Sequence, residues 1–191
     1  MSRLLAIIKS WLPLAVAITF ISVMIYIVAQ QVYRHSANDP QIQMAEDAAN
    51  ALSNGQPPAD LQGGEKVDMT RSLAPYLIIF DETGKPLESG VELDGQTPIP
   101  PAGVFDFTKL NKQDRITWQP RSGIRHAAIV VYFSGKQSGF VLAGRSMREA
   151  EKRIGLLGMG VLSGWIVTIF CTFMVVLVLD IISRKPVEYR D

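Results

Sequence analysis

The side chains best suited to holding a small ligand are concentrated in the second half of the chain. Aromatic rings offer a flat apolar surface, and guanidinium and imidazole groups form hydrogen bonds with anionic or carbonyl groups. Either these side chains line one pocket, or they face water and pack singly in the core, as a ring such as that of Trp118 commonly does. The candidate pocket residues are Trp118, Arg121, His126, Tyr132 and Arg145.

A strand pattern over residues 124–133 decides which side chains share a surface, because successive side chains of a strand point to opposite faces. The face that begins with Arg125 is otherwise apolar, so it is predicted to belong to the core. The face that contains His126 and Tyr132 is mixed, so it is predicted either to line a small pocket or to face water. The first face comprises Arg125, Ala127, Ile129, Val131 and Phe133, and the second comprises Ile124, His126, Ala128, Val130 and Tyr132.

Two Gly-Lys pairs, at 84–85 and 135–136, share part of the signature of a phosphate-binding loop. Such a loop needs a further glycine five residues before the pair, so that consecutive backbone N–H groups surround the phosphates. Ile79 and Val130 occupy those positions instead. The two Gly-Lys pairs are therefore predicted to be hairpin turns.

The sequence contains no signature of a metal site or of a hydrolase. The two histidines, His35 and His126, lie far apart and have no Cys or His companion at the spacing of metal ligands. Neither Gly-x-Ser-x-Gly nor His-Glu-x-x-His occurs. We expect no metal and no cofactor, and we expect that the protein is not an enzyme.

Short apolar runs separated by turn residues predict the sheet that carries these side chains. Residues 76–80 form the first run, residues 81–86 supply turn chemistry, and a returning strand begins at Leu87. Short turns that contain glycine join three further runs into an antiparallel meander. The strands of this meander are predicted at residues 115–119, 124–133 and 140–144.

Helical signals precede and interrupt these strands. Asp39 and Pro40 are suited to the start of a helix, and Asn54-Gly55 is suited to its end. A shorter helix is predicted over residues 104–110. The predicted fold class is therefore α+β, with a single antiparallel sheet of about five strands and a preceding helix.

Two long apolar runs, residues 10–33 and 154–182, enclose this domain. Each exceeds the roughly 20 residues that an α-helix needs to cross a bilayer core, so both are predicted to be transmembrane helices. For the first run a cleaved signal peptide is the alternative. Its apolar stretch is longer than the core of about 7–15 residues of such a peptide, which favours an uncleaved anchor.

Cations near the two ends set the predicted orientation, because short flanking segments rich in Lys and Arg stay in the cytoplasm. These cations are Arg3, Lys9, Arg184, Lys185 and Arg190. Both termini are therefore predicted to be cytoplasmic, and the central domain extracytoplasmic. The predicted division is a tail at 1–9, a first transmembrane helix at 10–33, the domain at 34–153, a second transmembrane helix at 154–182 and a tail at 183–191.

One face of the second apolar run carries small residues at intervals of four, namely Gly160, Gly164, Thr168 and Thr172. Small residues let two membrane helices approach closely, so this stripe is predicted to pack against the first run or against a second copy of the chain. Asp180 lies four residues before Arg184, where the two can pair at the membrane interface. This structural role is favoured over the alternative, a role in a proton relay.

The segment before the second run is a charged helix former with no breaker. It continues into the run and is predicted to form one helix with it. Its residues are Met147, Arg148, Glu149, Glu151 and Arg153.

This order of elements, placed between two membrane runs, resembles the PAS-like (Cache, or PDC) sensor domains of bacterial histidine kinases and chemoreceptors. Residues 76–87, with Asp-Glu-Thr-Gly-Lys at the tip, resemble the first hairpin of such domains, and residues 144–151 resemble their last strand and exit helix. The resemblance covers residues 1–182. It implies a sensing domain whose exit helix carries a signal inward through the second span.

The resemblance ends after that span. In sensor kinases a HAMP segment, a dimerisation helix with a phosphorylated histidine and an ATPase domain follow, whereas here only residues 183–191 follow Ile182. No kinase activity is therefore expected of this chain. Either its output passes to a partner, or the chain is a remnant of a larger gene.

The net charge of +1 gives no indication of nucleic-acid binding, and the single cysteine, Cys171, leaves the central domain without a disulfide. We expect a non-catalytic sensor module of a two-component system in the bacterial inner membrane, with a kinase or another membrane protein as partner and a homodimer formed through the membrane helices. The alternative is a structural or accessory subunit that binds no small molecule.

Overall fold

The computed structural model describes residues 2–36, 39–62 and 64–183. Its contacts divide the chain into a helical unit, Met1–Val32 with Arg153–Asp191, and a sheet unit, Tyr33–Lys152. The helices are α1 (Ser2–Ser36), α2 (Asp39–Ser53), a 3-10 helix (Pro58–Leu61), α3 (Ala102–Asn111) and α4 (Arg148–Ile182). The strands are β1 (Val67–Asp68), β2 (Tyr76–Asp81), β3 (Pro86–Ser89), β4 (Val91–Glu92), β5 (Gln113–Arg121), β6 (Ile124–Ser134) and β7 (Ser138–Ser146).

Five strands form one antiparallel sheet in the order β3-β2-β7-β6-β5. The last strand, β7, therefore lies in the middle, between β2 and β6. The α+β class and the five-stranded antiparallel sheet predicted from the sequence are confirmed. The prediction missed a small parallel pair, β1 with β4, in which two residues of each strand align. Strands this short carry no periodic signal.

The side chain of Asp81 stabilises the turn of the β2–β3 hairpin. Its Oδ1 accepts hydrogen bonds from the backbone N–H of Thr83 (2.8 Å), from the Thr83 hydroxyl (2.6 Å) and from the backbone N–H of Lys85 (3.0 Å). Gly84 takes the left-handed conformation, with φ of +81°, which glycine adopts at no steric cost. The hydrogen bond from the Thr83 hydroxyl is the main cause that lowers the pKa of the Asp81 carboxyl.

Both faces of the sheet are buried, each by a different part of the chain. Helix α2 packs on the face that contains Ile129 and Phe133, with the small residues Ala45, Ala48 and Ala49 against the strands. Helix α3 and the segment around β1 and β4 cover the opposite face. That opposite core comprises Met69, Tyr76, Ile78, Phe80, Val91, Phe105, Trp118, Ala128, Val130, Phe140 and Leu142.

One of the two faces predicted for β6 needs correction. The face of Ala127, Ile129 and Phe133 belongs to the core, as predicted. The face of His126, Ala128 and Val130, predicted to line a pocket or meet water, is also core, and His126 is fully buried. The sequence of β6 gives no sign of this burial, because β1, β4 and α3, which are distant in the sequence and outside the five-stranded sheet, cover that side.

Two helices are long and apolar enough to cross a membrane, Leu4–Tyr33 and Arg148–Ile182, and most of their residues form the helical unit. Most of their large apolar side chains are exposed, which suits a lipid environment. Within this unit Trp165 Nε1 donates to Thr19 Oγ1 at 2.9 Å, and Trp11 Nε1 donates to Thr172 Oγ1 at 3.2 Å. These hydrogen bonds join α1 and α4.

The small-residue stripe only partly faces α1. Thr172 contacts Trp11, whereas a β-carbon on Gly160 or Gly164 would meet nothing within 4 Å, and Thr168 is exposed. The glycine that does face α1 is Gly158, where a β-carbon would lie 3.3 Å from Tyr26. A contact of the stripe with a second copy stays a prediction. The predicted tail cations Arg184, Lys185 and Arg190 lie outside the described residues.

Candidate functional site

The structure does not bring the five predicted pocket residues together. Trp118 and His126 are direct partners across β5 and β6, and both are buried. Tyr132 lies six residues farther along β6, about 20 Å away at 3.4 Å per residue. Arg145 pairs with Ala127 and therefore lies on the other face of the sheet, and Arg121 stands at the end of β5.

Each of the three outlying residues has a local partner. Arg121 forms an ion pair with Asp94, with both carboxylate oxygens within 2.8 Å. The Tyr132 hydroxyl donates to Glu82 at 3.1 Å, and Arg145 Nε donates to the carbonyl of Leu73 at 3.3 Å. These contacts tie turns and loops to the sheet rather than forming one site.

His126 is the most unusual of the predicted residues. Its Nε2 donates to the carbonyl of Met69 at 3.2 Å, and its ring centre lies 5.5 Å from that of Tyr76. Among the described residues, neither His126 Nδ1 nor the Tyr76 hydroxyl has a hydrogen-bond partner. Burial lowers the pKa of His126 and raises the pKa of Tyr76, so both side chains are held neutral.

Folding stability should therefore decrease in mild acid. Below the ordinary pKa of 6.5 the unfolded chain binds a proton at His126 that the folded protein resists, so stability is lost as the pH falls. We expect a lower unfolding temperature at about pH 5 than at about pH 7.5, and a smaller difference in His126→Gln. Asp68 and Asp81 do not contribute to this difference between pH 5 and pH 7.5, because their pKa values lie below 3.8. An equal pH dependence in the variant would contradict the assignment to His126.

The first turn of α4 is fastened to two separate parts of the sheet unit. The Met147 backbone N–H donates to the carbonyl of Arg125 at 2.9 Å, and Arg125 forms a 2.7 Å ion pair with Glu151. The Arg148 guanidinium donates to the carbonyls of Thr70 (3.4 Å) and Arg71 (3.0 Å), in the turn after β1.

The predicted exit helix thus begins one residue later than expected, at Arg148. Met147 is buried beside the sheet, and the Ser146 hydroxyl accepts a hydrogen bond from the Arg148 N–H at 3.3 Å. Glu149 is half-buried and Arg153 is exposed. Of the predicted residues, Arg148 and Glu151 form the polar side-chain contacts with the domain.

A cavity of about 130 Å³ opens beside this turn, between the start of α2 and strands β5 and β6. Its wall includes Gln41, Arg115, Thr117, Arg125 and Met147. Strand pairing places Arg115 opposite Ile129 and Thr117 opposite Ala127, on the face that α2 covers. Helix α2 packs on β6 and β7, so the cavity lies at the edge of the part of the sheet that α2 covers.

Sequence reasoning missed this cavity, although two signals were present. Gln41 precedes Ala45 and Ala48 by four and seven residues, so it occupies an apolar position on the buried face of α2. Arg125 begins a face that is otherwise apolar. Each signal alone is ordinary, and only the fold brings the two residues to one cavity.

Comparisons with known proteins do not assign this site. No protein-family model, no curated protein and no solved structure matches the chain. Among the described residues, no group of three or more His, Cys, Asp or Glu side chains could hold a metal ion.

Proposed function

We propose that this protein is a non-catalytic sensor module of the bacterial inner membrane, with both termini in the cytoplasm and the sheet unit outside it. In this proposal the sheet unit is a PAS-like (Cache) domain. Helix α4 passes a signal to a partner, such as the kinase of a two-component system. The order of elements and the antiparallel sheet between two apolar helices support this proposal.

The observation that carries the proposal is the attachment of the first turn of α4. The turn is bonded both to β6, through Arg125, and to the segment after β1, through Arg148. A change in the distance between those two segments must therefore move or release the turn. A helix is stiff along its axis, so a small shift at its start reaches its end.

The test uses Cys171, which is the single cysteine of the chain and is exposed on α4. A spectroscopic label on Cys171 of the full chain in lipid nanodiscs should change its signal when Arg125→Met removes the ion pair with Glu151. Three glycines inserted after Arg153 should abolish this response, because glycine is a poor helix former and uncouples the two parts of the helix.

The matched control is the same insertion after Gly95, an exposed turn position with φ of +77°. The control should leave the response intact, since loop tips tolerate insertions. Equal responses of the label with and without the insertion after Arg153 would contradict transmission through α4.

A structural or accessory subunit is the second candidate, and one observation favours it. Phe107 and Leu110 lie three residues apart on α3 and are 50% and 84% exposed, which provides an apolar surface for a partner protein. Under this proposal the label on Cys171 does not respond to Arg125→Met.

A further inference from the structure

Two segments that hold the first turn of α4 meet at one buried contact, the hydrogen bond from His126 Nε2 to the carbonyl of Met69 at 3.2 Å. Both side chains are 1% exposed. The two residues after Met69, Thr70 and Arg71, present the carbonyls that accept hydrogen bonds from Arg148. A displacement of Met69 from His126 therefore moves the acceptors of Arg148.

The other side of this contact is attached to the same turn through β6 and β7. Arg125, which directly precedes His126, binds Met147 through its carbonyl and Glu151 through its guanidinium. Ser146 pairs with His126 across the ladder of β6 and β7, and its hydroxyl accepts a hydrogen bond from the backbone of the turn. His126 thus lies at the junction of the segments that hold the start of α4.

The hydrogen bond to Met69 determines where a further proton must go. A carbonyl only accepts, so Nε2 carries the proton of the neutral His126 ring, and acid adds a proton at Nδ1. This Nδ1 is buried and has no hydrogen-bond partner among the described residues. The hydroxyl of the adjacent Tyr76 ring has none either, and burial raises its pKa, so it stays neutral.

The strands next to His126 present no compensating charge. Strand pairing places Trp118 of β5 and Ser146 of β7 opposite His126, and Tyr76 of β2 lies beside it, so all three neighbours are neutral. Burial lowers the pKa of His126, and among the described residues the Met69 carbonyl is the only group that opposes this effect. An imidazolium in this place is therefore a buried charge without a counter-charge.

The charged side chains near these segments in the sequence do not supply one. The carboxylate of Asp68 accepts hydrogen bonds from Thr70 and forms an ion pair with Arg71, and that of Glu151 is paired with Arg125. Guanidinium groups cannot compensate an imidazolium, because like charges disfavour each other. The guanidinium groups adjacent in the sequence are those of Arg71, Arg125, Arg145 and Arg148.

We propose that mild acid releases the first turn of α4 from the sheet unit by protonating His126. The imidazolium leaves its buried site and the hydrogen bond to Met69 is lost. The segment with Thr70 and Arg71 then no longer holds Arg148. His126 is the third residue of β6, so only the end of that strand has to open. That this release is a signal rests on the proposed sensor function, whereas the release itself does not.

The difference in the pKa of His126 between the two states sets the size of the effect. In the released state the ring is solvated and titrates near its ordinary pKa of 6.5, whereas in the attached state burial lowers that pKa. The attached state is therefore favoured above pH 6.5 and loses this advantage as the pH falls. Between pH 7.5 and pH 5 the ratio of released to attached chains should rise by up to about thirtyfold.

Spin-label distances in the full chain in lipid nanodiscs measure the release. The labels are attached at Lys66→Cys, before β1, and at Lys152→Cys, near the start of α4, in a Cys171→Ser background. Both positions are exposed and belong to the sheet unit. Unlabelled chains dilute the sample, so the distances arise within one chain. We expect one narrow distance at pH 7.5 and a longer, broader distribution at pH 5, and an unchanged distribution would overturn the proposal.

The two histidines of the chain provide matched variants. His126→Gln keeps an amide that donates to the Met69 carbonyl but does not titrate, so the distance should stay narrow at pH 5. His35→Gln should respond like the parent. It also leaves His126 as the single imidazole, whose titration by NMR should have its midpoint below pH 6.5 and at the midpoint of the distance change. A response that persists in His126→Gln, or that has a different midpoint from the imidazole, would overturn the assignment.

The label on Cys171 of the otherwise unchanged chain distinguishes this proposal from the sensor function. If acid changes the distance between positions 66 and 152 but not the signal of Cys171, the release is supported and the signalling role is overturned. If the signal of Cys171 responds to Arg125→Met but the distance does not respond to acid, the sensor function is supported and the acid release is overturned.

Discussion

Phe140→Ala is expected to lower the free energy of unfolding of the sheet unit by about 3–5 kcal/mol. Phe140 is 1% exposed in β7, and its ring centre lies 5.0 Å from that of Phe105 and 5.3 Å from that of Tyr132. Truncation removes its burial and leaves a cavity in the middle of the sheet. Hydrogen exchange of the β7 amides in the full chain measures this loss, because central strands open only when the domain unfolds.

Phe107→Ala on α3 is the matched control for this measurement. The side chain of Phe107 is half exposed, so we expect a change of about 0.5 kcal/mol or less. If Phe140→Ala had an effect as small as this control, the ring would not be part of a tightly packed core.

Gly158→Leu is expected to shift the pairing of α1 and α4 by about tenfold or more, which corresponds to 1–2 kcal/mol. The β-carbon alone would lie 3.3 Å from the Tyr26 ring, closer than ordinary van der Waals contact, so a leucine is expected to push the helices apart. Separation also strains the hydrogen bond between Trp165 and Thr19. A bifunctional maleimide that links Ser22→Cys to Leu162→Cys, in a Cys171→Ser background, reports the pairing.

Gly160→Leu and Gly164→Leu are the controls, because a side chain at either position points into open space. Both should cross-link as efficiently as the parent. A loss of cross-linking in the controls but not in Gly158→Leu would contradict the helix pairing described here. A change of oligomeric state in the controls would instead support packing of the stripe against a second copy.

Local signals explain why the sheet could be predicted from the sequence. The turn at Asp81 and Gly84 depends on side chains within four residues, and the apolar runs of β2, β6 and β7 are bounded by such turns. The environment of His126 could not be predicted in this way. Its carbonyl partner, Met69, lies 57 residues earlier in the chain, and no periodicity in the sequence indicates that contact.

The candidate site could not be predicted from the sequence for the same reason. Gln41 and Arg115 belong to elements that meet only when α2 folds across the meander. Chemical type alone indicates the five predicted pocket residues, and side chains of suitable type on one sheet still have different neighbours. The spacing of Gly160 and Gly164 likewise indicated a helix face but not which surface that face meets.

The central place of β7 has a mechanical consequence. A force that acts on β7 along the strand loads the ladders to β2 and β6, whose registers run over Tyr76–Asp81 and His126–Ser134. Both ladders must then slide at once, whereas a strand at the edge would peel away one hydrogen bond at a time. The sheet therefore resists a force along β7 more strongly than it would if β7 were an edge strand.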